Sequence, residues 1–176
     1  MADKKHYIIT SITLGLIGAS SALLIGLTNM LTKEPIAANE KNKINAGIYE
    51  IFGKSSLVCE EFDYEADEHK YVKTCYVINN EHDEKQGLAF RTTGSNLYGK
   101  ITLIIGFDEA SHGYKGSYVV VDEQTYASTL EDKYITPLND GNRNLDDVFC
   151  GATYGAKLVR DMINEANEVA LTEWNK

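Results

Sequence analysis

The chain has 176 residues and a formal net charge of −9, from 17 Lys and Arg against 26 Asp and Glu. That length leaves room for one domain and an anchor, and an acidic chain without a basic stripe excludes the usual modes of nucleic-acid and anionic-surface binding. Three cysteines (Cys59, Cys75, Cys150) without C-x-x-C spacing, and four scattered histidines, indicate no zinc site, no dithiol motif and no other metal.

From Tyr7 to Leu31 the sequence carries no charge. Roughly 20 helical residues span a bilayer core, so this run predicts a transmembrane helix over 7–31. A cleaved signal peptide is the alternative, but its apolar core is about 7–15 residues long and ends at a small-residue cleavage site; here Thr32-Lys33-Glu34-Pro35 follows. Lys4 and Lys5 precede the span, which puts residues 1–6 in the cytoplasm and residues 32–176 outside it, with Lys33 weakening the bias. Gly15, Gly18, Ala19, Ala22 and Gly26 recur at small-x-x-x-small spacing. That pattern suits a partner helix, and equally the ordinary composition of membrane helices.

Pro35 predicts a break just past the membrane. Ile44, Ile48, Ile51 and Phe52 then form one apolar stripe on a helix ending at Gly53. Strand-like runs follow at Ser56–Tyr64, Lys70–Ile78, Gly87–Thr92, Lys100–Phe107 and Gly116–Asp122. Turn-forming stretches separate them, such as Glu65-Ala66-Asp67-Glu68 and Asn79-Asn80-Glu81-His82-Asp83. If the first two runs form a hairpin centred on Asp67, Cys59 and Cys75 lie opposite each other, their Cβ atoms about 4.5–5.5 Å apart. A disulfide and two thiols both remain open. Irregular chain is expected to Asp147, and then a closing helix over Tyr154–Leu171 with Val159, Met162, Ile163, Ala166 and Ala170 on one face. The expected fold class is α+β: a mostly antiparallel sheet backed by helices, behind one transmembrane helix.

The segment that carries chemistry is Asp147-Val148-Phe149-Cys150-Gly151-Ala152-Thr153, which leads into the last helix. Gly151 and Ala152 leave the backbone open to a close neighbour. Thr153 stands at a helix N-terminus, whose unpaired N–H groups and positive partial charge suit a phosphate. The bland alternative is a tight turn followed by an N-cap threonine.

The pattern Asp-x-x-(Ser/Thr/Cys)-Gly-Ala-Thr resembles the flavinylation motif of the FMN-binding domain family that includes RnfG of the Rnf complex and NqrC of the sodium-pumping NADH:quinone reductase. Leu31-Thr32-Lys33-Glu34-Pro35-Ile36 after the anchor and the strand Lys100-Ile101-Thr102-Leu103-Ile104-Ile105-Gly106-Phe107-Asp108 resemble the same family. The resemblance implies covalent FMN, joined through its phosphate to Thr153 by a flavin transferase. It further implies that Asp147 belongs to the transferase signal, that Cys150 stands where Ser is usual, and that Gly151 and Ala152 flank the attachment point. Thr125 and Tyr126 are the implied flavin-lining residues, with Tyr98 a weaker one. Departures are Asn96-Leu97-Tyr98-Gly99 in place of Gly-Tyr-Gly-Gly, Gln124-Thr125-Tyr126-Ala127 in place of Glu-Thr-Pro-Gly, and Tyr154-Gly155 after the motif.

The implied function is an electron-carrying subunit of a redox-driven ion pump in the cell membrane, passing electrons between other membrane proteins of the complex without turnover of its own. A free-standing membrane-anchored flavoprotein serving an external acceptor is a second reading, and a non-redox anchored domain a third.

Overall fold

The computed structural model describes residues 2–54, 56–65 and 67–175. Ala66 of the expected first turn lies outside the described residues, as do Met1, Lys176 and the side chain of Lys5. The chain divides into two compact units, Met1–Asn42 and Lys43–Lys176.

From Ala2 onward the first unit lies within helix α1 (Ala2–Phe52). Its apolar side chains are bare, with Ile8, Leu14, Leu16, Ile17, Leu23, Leu24, Ile25 and Met30 all largely exposed. Among the described residues this is the one helix long and apolar enough to cross a membrane, with a stretch of mean hydropathy 2.0 that is not buried by the protein. A bilayer is the solvent that satisfies such a surface. Three of the hydroxyls within it are satisfied locally: Thr10, Thr13 and Thr28 donate to the carbonyls of His6, Ile9 and Leu24 at 2.8–2.9 Å. Such back-bonding leaves no stray donor on these three residues in an apolar surround. The expected break at Pro35 is corrected, since α1 continues through that residue. A proline deletes one N–H, and the hydrogen bonds in the turns on either side hold the helix across it.

In the second unit the strands β1 (Leu57–Asp63), β2 (Val72–Asn79), β3 (Lys85–Asn96), β4 (Gly99–Asp108) and β5 (Tyr114–Asp122) form a single antiparallel sheet in the order β1-β2-β3-β4-β5. Both faces are covered. On one, Ile48 and Phe52 from the end of α1 pack with Tyr76, Ile78, Ala89, Ile104 and Val120. On the other, helix α4 (Thr153–Trp174) presents Val159, Met162, Ile163, Ala166 and Ala170 to Cys75, Leu88, Phe90, Ile101, Leu103, Ile105 and Phe107. Burial on both sides explains why β4 reads as a near-continuous apolar run rather than an alternating one: every residue from Ile101 through Phe107 is buried.

Three further expectations are corrected. The stretch expected to be irregular holds a continuous helical segment, made of α2 (Ala127–Leu130), a π-helical turn (Glu131–Ile135) and α3 (Thr136–Asn139). Leu130, Tyr134 and Leu138, at i, i+4 and i+8, bury into the core, and Pro137 had masked that period. The β1–β2 register opposes Cys75 to Phe62, and a bulge between Val58 and Glu60 takes Cys59 out of the pairing. The two cysteines therefore do not face each other, and all three cysteines are thiols. Finally, Ala152 holds the N-cap position of α4, without a side-chain capping bond, and Thr153 is the first helical residue.

Candidate functional site

The β3–β4 turn, the chain after β5 and the first turn of α4 enclose a cleft of about 300 Å³, lined by Tyr98, Gln124, Tyr126, Gly151, Ala152, Thr153, Tyr154 and Gly155. Local hydrogen bonds explain the convergence. Asn96 and Gly99 close the hairpin, with Asn96 Oδ1 accepting from the Tyr98 N–H at 2.8 Å. The Tyr98 carbonyl accepts from the Thr125 N–H at 2.9 Å, which carries the β4–β5 pairing past the end of β5. Gly99 has φ +135°, and a Cβ there would lie 2.1 Å from the Glu123 carbonyl oxygen, so this approach requires glycine.

Gln124 is buried, and its Nε2 donates to the Gly99 carbonyl at 2.5 Å. Its own N–H donates to Asp122 Oδ1 at 2.7 Å. Asp122 Oδ2 is buried with no hydrogen-bond partner, and burial raises this carboxyl above the ordinary range despite the Gln124 N–H. Across the cleft, a Cβ on Gly155 would stand 2.9 Å from Leu130 Cδ2, so the absent side chain leaves the helix start in close contact with the helical segment.

The walls are aromatic. The Tyr98 ring lies 6.0 Å from that of Tyr126 and 5.6 Å from that of Tyr154, and Tyr126 and Tyr154 are more than half exposed. Exposed rings around a concavity suit a planar, partly apolar ligand. The floor is the start of α4, where the first internal bond runs from the Ala156 N–H to the Ala152 carbonyl. The N–H groups of Thr153, Tyr154 and Gly155 thus point out of the helix end without an intrahelical acceptor. No acidic residue occupies this first turn, and Lys157 Nζ lies 5.9 Å from the Tyr154 ring centroid. The arrangement favours an anion.

Of the residues expected from sequence, Gly151, Ala152, Thr153, Tyr126 and Tyr98 meet in the cleft. Thr125 stands beside it, its hydroxyl donating to the Tyr98 carbonyl at 3.3 Å. Cys150 is buried in the core instead. Asp147 lies on the loop before the cleft, paired with Arg143 at 3.1 Å. From sequence, Gln124, Tyr154 and Gly155 stood only as departures from the family pattern, not as lining residues; Tyr154 and Gly155 follow Thr153 directly, whereas Gln124 reaches the cleft only through the fold. Sequence reasoning also missed Arg143, whose one signal was its place four residues before Asp147.

No curated protein matches the chain. Residues 1–51 match the sequence model of the RnfG N-terminal region. That match covers the first 51 of the 176 residues, the part of the chain that is similar to the RnfG N-terminal region.

Proposed function

We propose that the protein is an electron-carrying subunit of an Rnf-type membrane complex, with FMN attached through its phosphate to the Thr153 hydroxyl. The observation that carries this reading is the meeting of Thr153, at an acid-free helix start, with three tyrosine rings around one cleft. The residues fit the group. Gly151, at φ +88°, leaves room where a side chain would stand. The N–H groups of the first turn are donors for phosphate oxygens, and Tyr98, Tyr126 and Tyr154 are the surfaces for a flat ring system. When bound, FMN supplies the electron-transfer chemistry, while the chain supplies position and electrostatics. Thr153 tethers, the helix end neutralises phosphate charge, and the tyrosines restrict water at the ring. Partner proteins of the complex would deliver and remove electrons, and a flavin transferase would be needed for maturation.

Thr153→Val tests the reading. Valine keeps the branched shape and removes the hydroxyl oxygen that forms the ester. Because Thr153 is not the capping residue, stability should change by roughly 0.5 kcal/mol or less. After co-expression with a flavin transferase, the wild-type band on a denaturing gel should fluoresce under ultraviolet light and the valine variant should be dark. A dark wild-type band beside an active transferase would defeat the proposal, and a fluorescent valine variant would move the attachment elsewhere.

A further inference from the structure

We infer that Arg143 is a positioning residue for the modification of Thr153, holding the acceptor loop 147–152 in the form on which a flavin transferase docks. The inference rests on Thr153 being the attachment point.

One guanidinium organises the loop. Arg143 Nε donates to the Asp147 carbonyl at 2.7 Å, Nη1 to the Lys133 carbonyl at 2.7 Å and Nη2 to the Phe149 carbonyl at 2.9 Å. Nη2 also lies 3.1 Å from Asp147 Oδ2. Lys133 belongs to the π-helical turn, so this single planar cation ties the loop to the segment whose Leu130 abuts Gly155 beside the cleft. With the carbonyls of residues 147 and 149 directed at the guanidinium, Val148 and Cys150 turn inward and are buried, while Phe149 is 78% exposed. The Asp147 side chain stays 55% exposed although paired. The loop thus shows an incoming enzyme a carboxylate and an aromatic ring at set positions before Thr153.

A transferase must bring an activated flavin phosphate to one hydroxyl. In that step the Thr153 oxygen bonds to the flavin-side phosphorus of a flavin dinucleotide, the pyrophosphate bond breaks, adenylate leaves and the hydroxyl proton passes to the transferase. A loop already in its docked shape spares the ordering cost of association. Lysine cannot substitute, because a single ammonium lacks the planar fork that reaches three separate carbonyls. The base of the loop has other supports: the Tyr134 hydroxyl donates to the Leu145 carbonyl, and Asn144 Oδ1 accepts from the Asp146 N–H at 2.9 Å. Loss of Arg143 should therefore loosen the loop more than the fold.

The experiment measures initial rates of flavin attachment to the full-length chain in detergent, using purified transferase, flavin dinucleotide and Mg²⁺, at varied chain concentration. Arg143→Gln should raise the transferase KM for the chain about tenfold, the scale of one lost interface contact, with kcat near that of wild type. Arg143→Lys should not restore the wild-type KM. A wild-type KM in Arg143→Gln would overturn the inference, and so would a lowered Tm with KM unchanged. If Arg143→Gln does not fold, the same criteria apply to Arg143→Lys. Failure of the wild-type chain to be modified at all is a different outcome, which removes the attachment reading itself.

Discussion

Asp122, whose Oδ1 accepts from the N–H of the cleft residue Gln124, is half-buried and holds its other oxygen buried and unpartnered. Burial raises its pKa, against the smaller opposing effect of the Gln124 N–H. The folded chain therefore holds this proton more tightly than the unfolded chain. Stability from this group is greatest below the ordinary carboxylate value and is lost as pH rises through the raised one. Asp108 has the opposite sign: its hydrogen bond to Lys115 lowers its pKa, so its contribution is present above the ordinary value and fades as pH falls. Comparing wild type with Asp122→Asn isolates the first effect. The urea midpoint of wild type, taken relative to that of the variant, should fall as pH rises across the acidic range. Parallel curves would show that Asp122 ionises as it does in the unfolded chain. This residue carried no signal in the sequence, since its burial depends on where the chain after β5 folds back.

Among the elements, β1 keeps its expected place in the chain and departs in its pairing. Its pairing with β2 is offset from the one that a turn centred on Asp67 implies, and the bulge at Cys59 comes with that offset. Register is set by which side chains the sheet buries, and a shift of one residue exchanges the faces. Here Cys75 is buried and Cys59 exposed. Alkylation of the native, unreduced protein should modify Cys59 rapidly, and Cys75 and Cys150 only after unfolding. Intact mass should be unchanged by a reductant, and a gain of about two mass units on reduction, one hydrogen per sulfur of a broken disulfide, would restore the bridge. The strands β2 to β5 were legible as apolar or β-branched runs bounded by turn-forming residues, and the closing helix by its regular apolar period. The segment 127–139 was not, because Pro137 and a π-helical turn interrupt a period carried by only a few buried residues.

For the whole molecule, α1 supplies a stretch with the length and polarity of a single membrane span. We propose the orientation from charge: Lys4 before the span favours a cytoplasmic N-terminus, with the second unit outside. Protease added to intact spheroplasts should then digest the chain after Thr32. Full protection until lysis would reverse the orientation.

Sequence by itself determined the apolar span, the α+β class and the loop that ends at Thr153, because each depends on local composition or on a period along one segment. Tertiary structure alone decided the β1 register, the burial of Cys150 and of one Asp122 oxygen, and the clamp made by Arg143. It also decided the company of Tyr98, Gln124, Tyr126 and Tyr154 around Thr153. Those residues are spread over three separate stretches of chain, and a cleft between them exists only once the sheet and the closing helix have packed.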